Sequence, residues 1–150
     1  MPHIDLPAYR PPRLFFNGHL QTVYPALFRK PIVTYERERL ETPDGDFLDI
    51  DWAKTGSSKL LILLHGLEGN SDAQYIKGMI NAMHKRGWDA VVMNFRSCSG
   101  EPNRLLRSYH SGETEDIDFL IRHLALHHAY EQMSLTGFSL GVNVTLKYLG

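Results

Sequence analysis

The chain has very little cysteine, no long apolar run and almost no net charge. Cys98 is its single cysteine, so no disulfide can form within the chain, as suits a reducing compartment. The longest aliphatic run, "LLILL" at Leu60–Leu64, is far too short to cross a bilayer. A formal net charge of −1 gives no field that would attract nucleic acid or an anionic membrane. These features predict a cytoplasmic protein with no transmembrane segment and no nucleic-acid partner.

The N-terminal residues lack the apolar region of a secretory signal and are rich in proline instead. Within them, "NGHLQTVYPALF" predicts a short helix that is capped by Asn17 and disturbed by Pro25. We therefore divide the chain into residues 1–34, an extension that packs on the core, and residues 35–150, which belong to the core domain.

The core sequence predicts two kinds of strand. Tyr35–Glu41 and Phe47–Ala53 alternate between apolar and polar residues, and "PDG" at 43–45 supplies the turn of a hairpin. Three later segments are apolar, which is typical of strands covered by helices on both faces. These segments are "KLLILLHG" (59–66), "WDAVVMNF" (88–95) and "MSLTGF" (133–138).

Helical patterns alternate with these strands. Ser71 and Gln74 form a capping-box pattern at the start of the first helix, and Gly87 is placed to end it. Ser111 is the predicted N-cap of the second helix, and a third helix begins after Ser139. This alternation predicts an α/β fold with parallel strands, right-handed crossovers and helices on both faces of the sheet.

The segment "GFSLG" at 137–141 matches G-x-S-x-G between an apolar strand and a helix. A sharp turn of this kind needs small residues at Gly137 and Gly141, and it raises the Ser139 hydroxyl above the sheet edge at a helix N-terminus. Ser139 is therefore the predicted nucleophile, and the N–H of Leu140 a predicted oxyanion donor. The alternative is a glycine turn with an incidental serine.

The loop "HGLEG" at 65–69 follows an earlier strand and predicts the second oxyanion donor, the N–H of Leu67. His65 precedes the serine, which is the wrong chain order for the catalytic base. We interpret His65 and Gly66 as residues that shape this loop. Because "HGLEG", "NFRSCSG" and "GFSLG" each follow a strand, all three are expected at the same sheet edge.

Other candidate groups have weaker patterns. His110 precedes a helix and is interpreted as ordering that turn. His123, His127 and His128 include an i, i+4 pair that suits a metal, but no carboxylate or cysteine accompanies them in the sequence. A solvated helix face is the better interpretation, so we predict no metal and no organic cofactor. Cys98 is interpreted as a loop thiol without a chemical role.

Five motifs, in this order, resemble the YheT-like branch of the α/β-hydrolase superfamily: "FFNGHLQT", "LLHGLEGNSDAQYIKGM", "NFRSCSGEPNR", "YHSGETEDI" and "GFSLGVNVTLKYLG". The resemblance covers nearly the whole chain. It implies an α/β-hydrolase fold with a mostly parallel sheet, and a serine carboxylester hydrolase. Relatives act on medium-chain acyl esters or phospholipids. By this resemblance, Ser139 corresponds to the nucleophile of the family and "HGLEG" to its oxyanion loop.

Two residues depart from the glycine expected in these motifs: Ser97 in "NFRSCSG" and Val142 in "SLGVN". The resemblance also implies a triad Asp and a triad His in a second half of the fold, beyond Gly150. Residues 35–150 would then be the N-terminal half of the core domain, truncated after the nucleophile turn, and the 150-residue fragment alone is expected to be inactive.

The predicted function is hydrolysis of a small-molecule carboxylic ester, with a short- to medium-chain or lipid-like acyl group, through an acyl-serine intermediate. Two alternatives stay open: a non-catalytic α/β-hydrolase-fold binding protein, and an acyltransferase to an alcohol. The sequence leaves the oligomeric state and the ester's head group open.

Overall fold

The computed structural model describes residues 11–13, 17–28 and 30–150, and the chain divides into two compact units at residue 30. The first unit contains helix α1 (Gly18–Phe28), with Pro25 inside it. The Asn17 side-chain oxygen accepts a hydrogen bond from the His19 N–H at 2.8 Å, which confirms the predicted cap. Residues 1–10, 14–16 and 29 of the predicted extension lie outside the described residues. Packing of residues 1–34 on the core stays a prediction.

The second unit, residues 31–150, is described throughout and contains five strands and three helices. In chain order they are β1 (Glu36–Glu41), β2 (Phe47–Ala53), β3 (Lys59–Leu64), α2 (Gln74–His84), β4 (Asp89–Met93), α3 (Glu115–His127), β5 (Gln132–Gly137) and α4 (Leu140–Leu149). The predicted hairpin and the three later strands are therefore confirmed.

The strands form one mixed sheet in the order β1-β2-β4-β3-β5. β2 pairs antiparallel with both β1 and β4, whereas β3 pairs parallel with both β4 and β5. In this register Leu64 lies beside Met93 on one side and Gly137 on the other. The segments that follow the three parallel strands therefore leave the same edge of the sheet, as the strand pattern predicted.

Helices cover both faces of the sheet. On one face, Ile76 and Ile80 of α2 pack with Leu61 and Leu63 of β3. On the other face, α3 and α4 pack on the alternate residues of the same strands; the apolar residues that these helices contribute are Ile117, Leu120, Leu124 and Val144. A strand covered on both faces has no solvent-facing positions, which explains the continuous apolar run of β3.

The predicted N-cap of α2 is wrong. The helix follows Ala73 without any side-chain cap, and Ser71 is buried. The Ser71 hydroxyl donates instead to an Asp51 carboxylate oxygen at 2.5 Å. A hydrogen bond between a hydroxyl and a charged carboxylate is stronger than one between a hydroxyl and a backbone N–H. The Ser71 hydroxyl therefore bonds to Asp51 of β2 and does not cap the helix. The glycine that ends the helix is confirmed, because Gly87 has φ +72°.

The predicted N-cap of α3 is also wrong. Thr114 takes the cap position, and Ser111 lies in the turn before it. The first N–H of the helix, that of Glu115, donates to a Glu113 carboxylate oxygen at 2.9 Å. A nearby carboxylate therefore accepts from the first N–H of the helix in place of the serine hydroxyl.

None of the helices in the described ranges combines the length and the apolar character that crossing a bilayer requires.

Candidate active site

The turn between β5 and α4 holds Ser139 in a strained backbone conformation. Ser139 has φ +52° and ψ −113°, and it is exposed immediately before the first residue of α4. Residues other than glycine rarely adopt such angles, which cost about 1–3 kcal/mol and cluster at functional sites. The hydroxyl therefore lies at the sheet edge, next to the positive end of a helix.

The two glycines of this turn are required by the close approach of backbone atoms. A Cβ added to Gly137 would lie 2.2 Å from the Gly141 carbonyl oxygen. A Cβ added to Gly141 would lie 2.5 Å from the Leu64 carbonyl oxygen on β3. Backbone atoms cannot move away as a flexible side chain could, so the turn accepts no larger residue at either position.

The loop that follows β3 is held by two tyrosine hydroxyls. The N–H of Gly66 donates to Tyr75 at 3.0 Å, and the N–H of Glu68 donates to Tyr109 at 2.9 Å. A tight turn closes the loop, because the N–H of Gly69 donates to the Gly66 carbonyl at 3.0 Å. These bonds occupy three of the backbone N–H groups in "HGLEG" and fix the path of the loop.

The backbone N–H groups of Leu67 and Leu140, unlike those of Gly66, Glu68 and Gly69, are not used in hydrogen bonds within the described residues. Leu67 and Ser139 line one cleft of about 410 Å³, together with Gly66, Tyr75 and Phe138. The N–H of Leu140 belongs to the first turn of α4, directly after the serine. Convergence of the two N–H groups on one oxyanion stays a prediction.

His65 is buried at the base of the loop, and both of its ring nitrogens have partners. Its Nε2 accepts a hydrogen bond from the N–H of Phe95 at 3.0 Å, so the ring proton is on Nδ1 and donates to the Gly66 carbonyl at 2.7 Å. Burial lowers the pKa of His65, which favours the neutral ring. An imidazole with both nitrogens engaged cannot also accept the proton of a serine hydroxyl.

Backbone strain is concentrated at the edge where the serine lies. In the described ranges, the non-glycine residues with positive φ are Glu68, Ser97 and Ser139, and they follow β3, β4 and β5 respectively. Ser97 has φ +63°, which explains why glycine is expected at this position. Asn103 braces it, because the Ser97 N–H donates to the Asn103 side chain and the Ser97 hydroxyl accepts from the Asn103 N–H at 3.1 Å.

Two other candidate nucleophiles or bases do not line the cleft at Ser139. Burial raises the pKa of the Cys98 thiol despite its hydrogen bond with Tyr109, so this cysteine favours the unreactive thiol form. His110 is exposed, and its Nδ1 accepts a hydrogen bond from the Gly112 N–H at 3.1 Å. Val142, the other residue found where glycine is expected, is exposed on the first turn of α4.

Sequence reasoning missed Tyr75 and Tyr109, the residues that hold the "HGLEG" loop. Both lie within motifs quoted above, "LLHGLEGNSDAQYIKGM" and "YHSGETEDI", but neither motif shows that they contact the loop, since they reach it from 9 and 41 residues away in the chain. Tyr75 also packs against Phe138, with ring centroids 4.8 Å apart and the ring planes tilted by 49°, so it links the loop to the residue before the serine.

Comparison with known proteins gives a consistent result. The chain is 47% identical over 139 residues to the Escherichia coli protein described as "Putative esterase YheT", and 32% identical over 153 residues to human "Phospholipase ABHD3". These alignments cover 89% and 95% of this chain but 41% and 37% of the relatives, so the chain spans about two fifths of their length. No protein-family model matches the chain.

Among solved structures, the Pyrococcus furiosus esterase Pf2001 superposes with a TM-score of 0.67 at 23% identity, over 94% of this chain and 52% of the esterase. A likeness at this identity establishes the fold alone. The mixed sheet with helices on both faces is thus part of the α/β-hydrolase fold. Within that superfamily, the chain belongs to the YheT-like branch.

Proposed function

We propose that the full-length protein hydrolyses carboxylic esters through an acyl-enzyme on Ser139. The observation that carries this proposal is the strained turn, which holds an exposed serine hydroxyl at a helix N-terminus. The cleft shared by Ser139 and Leu67 supports it, and so do the names of the relatives, an esterase and a phospholipase. Strain of this kind is retained where a reactive group must be presented to a ligand.

In the proposed reaction, the Ser139 oxygen attacks the ester carbonyl while its proton passes to a general base. The N–H groups of Leu67 and Leu140 would donate hydrogen bonds to the resulting oxyanion, and the N-terminus of α4 would add positive potential. The base then protonates the departing alcohol, and water releases the acid from the serine. His65 does not serve as the base in this scheme, because both of its nitrogens are engaged.

The proposed substrate is a small-molecule ester with an apolar acyl group of short to medium length or of lipid type. The walls of the cleft include Leu67, Tyr75 and Phe138, and Leu67 is 67% exposed. An exposed leucine beside two aromatic rings would bury apolar surface when an acyl chain binds. We propose no metal or organic cofactor for this reaction, since the serine mechanism needs none.

A fluorophosphonate probe on the full-length protein tests the proposal. The wild type should be labelled at Ser139, and Ser139→Ala should not be labelled. Ser111→Ala is the matched control, since Ser111 is exposed but does not line the cleft, and it should be labelled like the wild type. Labelling that persists in Ser139→Ala contradicts the assignment.

The same preparation separates the other two functions. Absence of both labelling and p-nitrophenyl ester turnover would indicate a binding protein with an α/β-hydrolase fold. Formation of an ethyl ester when ethanol is added, in place of the free acid, would indicate acyl transfer to an alcohol.

A further inference from the structure

Three potential metal ligands that do not line the Ser139 cleft lie close together, in a group that we call the Glu–His cluster: Glu38, His123 and His128. Glu38 lies on β1, His123 lies on the last turns of α3, and His128 directly follows that helix. One ligand atom from each residue lies within 4.8 Å of the others, and all three residues are partly buried. We propose that this cluster binds a Zn²⁺ ion.

The carboxylate of the cluster is already oriented. The indole N–H of Trp52 donates to one oxygen of Glu38 at 2.7 Å. The other oxygen lies 3.5 Å from Nε2 of His123. Carboxylates that bind metals are commonly held in this way by a hydrogen bond to the oxygen outside the metal bond. Trp52 thus leaves one Glu38 oxygen free to face the histidines.

His123 presents a buried ring nitrogen that makes no hydrogen bond, although the Glu38 oxygen faces it. Among the described residues, the Nε2 of His123 is the buried side-chain nitrogen or oxygen without a hydrogen bond. Leaving such a group unsatisfied is costly, so a buried polar atom of this kind requires an explanation. A metal ion between His123 and Glu38 would provide one, because it would bind both the nitrogen and the facing carboxylate oxygen.

The end of α3 selects His128 as the third ligand. The helix ends at His127, and His128 has extended backbone angles of φ −132° and ψ 135°. His127, at the i+4 position, instead stacks on the His123 ring and donates its Nδ1–H to the His123 carbonyl at 2.9 Å. The change of backbone direction therefore brings the later histidine, and not the one at helical spacing, to the carboxylate.

Two imidazoles and one carboxylate form a donor set that suits Zn²⁺, with a fourth position for water. Zinc bonds of about 2.0–2.2 Å need ligand atoms somewhat closer together than the present spread, which small rotations of the partly exposed side chains would supply. Lys54, whose Nζ lies 4.2 Å from the centre of the Trp52 ring, adds an opposing positive charge. Binding should therefore tighten in Lys54→Gln.

Calorimetric titration of the metal-free, full-length protein with zinc chloride tests the site. We expect one Zn²⁺ per chain in the wild type. Glu38→Gln should weaken binding by at least about tenfold, because loss of a ligand exceeds the effect of losing an outer partner. The glutamine oxygen can still accept the Trp52 hydrogen bond, so this change removes the ligand charge and keeps the packing. His123→Gln should weaken binding to a similar degree.

His127→Gln is the matched control, since it removes an exposed histidine from the same helix but none of the three ligands. It should bind Zn²⁺ as the wild type does. Bound ion should also raise the thermal midpoint of the wild type and of His127→Gln, but not that of Glu38→Gln, because a ligand that binds the folded state stabilises it.

His128→Asn gives a second ligand variant, and the change lies just after the last residue of α3. It too should weaken binding. Absence of stoichiometric Zn²⁺ binding in the wild type would overturn the proposal. Equal loss of binding in His127→Gln would also overturn it, because the ion would then be held by histidines exposed on the helix surface. Unchanged binding in both Glu38→Gln and His128→Asn would have the same consequence.

Discussion

Ser139 and Arg96 both follow parallel strands at the same edge of the sheet, but their surroundings are opposite. Arg96 is buried, and it donates two hydrogen bonds to Asp116, at 2.7 and 2.8 Å, and one to Asp46 at 2.9 Å. Ser139 is exposed in a strained turn next to an N–H group, that of Leu140, which has no acceptor within the described residues. Polar groups that are fully paired hold the fold together, whereas polar groups left unpaired are available to a ligand.

The ion-paired groups around Arg96 continue along the hairpin of β1 and β2, and we call these residues together the paired region. Asp49 and Asp51 of β2 are buried, and each receives two hydrogen bonds from an arginine on β1, Arg39 and Arg37 respectively. Bidentate pairs between arginine and carboxylate are among the stronger polar interactions. Removal of either arginine would leave a buried, charged carboxylate without this partner, so the region should tolerate loss of these arginines poorly.

The largest expected effect is on catalysis and concerns Ser139, in the turn whose polar groups are left unpaired. In the full-length protein, Ser139→Ala should lower kcat by at least about 10⁴-fold, because loss of a nucleophile removes the covalent step. Its unfolding free energy should stay near that of the wild type, since alanine keeps the Cβ. Ser139→Gly should be equally inactive but more stable by about 1 kcal/mol, because glycine tolerates positive φ. Ester turnover and urea unfolding measure both effects; a Ser139→Ala variant that retains turnover contradicts this prediction.

The next effect concerns the paired region. Arg96→Met should lower the free energy of unfolding by about 3–5 kcal/mol, because it leaves buried carboxylates without their partner. Arg122→Met is the matched control: the Arg122 side chain is 74% exposed in its ion pair with Asp118, and its loss should cost less than about 1 kcal/mol. Urea unfolding compares the two. Equal effects would show that burial does not distinguish these ion pairs.

A smaller loss of stability should follow when a side chain is added to a glycine of the serine turn. Gly141→Ala should destabilise the protein by about 1–3 kcal/mol or prevent folding, because the new Cβ meets the backbone of β3. Gly18→Ala is the control, since a Cβ at Gly18 meets nothing within 4 Å. Soluble yield and the thermal midpoint of the two variants decide the matter. Similar values for both would contradict the steric role of Gly141.

Acid should weaken the paired region. Burial acts to raise the pKa of Asp51, but hydrogen bonds from Arg37, Ser71 and Asn94 together hold that pKa below its usual range. The Thr42 hydroxyl, with Arg96, lowers the pKa of Asp44 to about 2.

A carboxylate whose pKa is lower in the folded state stabilises the protein above its unfolded pKa, about 3.9, and this contribution disappears as pH falls through the folded value. Thermal midpoints should therefore drop steeply between about pH 4 and pH 2. Asp51→Asn should flatten this dependence, and a wild-type midpoint that is constant over the range would contradict the prediction.

The smallest effect separates strain from hydrogen bonding at Ser97. Ser97→Ala keeps the positive φ and loses the hydrogen bond that the hydroxyl accepts from Asn103, so it should destabilise the protein by about 1 kcal/mol. Ser97→Gly loses the same bond but relieves the strain, so its unfolding free energy should exceed that of Ser97→Ala by about 1 kcal/mol. Urea unfolding measures the difference, and an equal stability of the two variants would exclude strain at this position.

Local rules sufficed for much of the fold. Three apolar strands, the helices between them and the serine turn depend on the spacing of neighbouring residues, and all were predicted within a few residues of their bounds. The caps at Ser71 and Ser111 were not predicted correctly. A capping box is a local pattern, but the Ser71 hydroxyl bonds instead to the carboxylate of Asp51, 20 residues away in the chain.

The sequence by itself determined the α/β alternation, the position of the serine turn and the need for glycine on both sides of it, because these depend on sterics and periodicity within short segments. Only the tertiary structure decided which partners meet: Tyr109 with the loop of Leu67, Arg96 with Asp46, and Glu38 with His123. The physical reason is that strand order and register, set by packing over the whole core, choose such partners, and no short segment of the sequence contains both members of a pair.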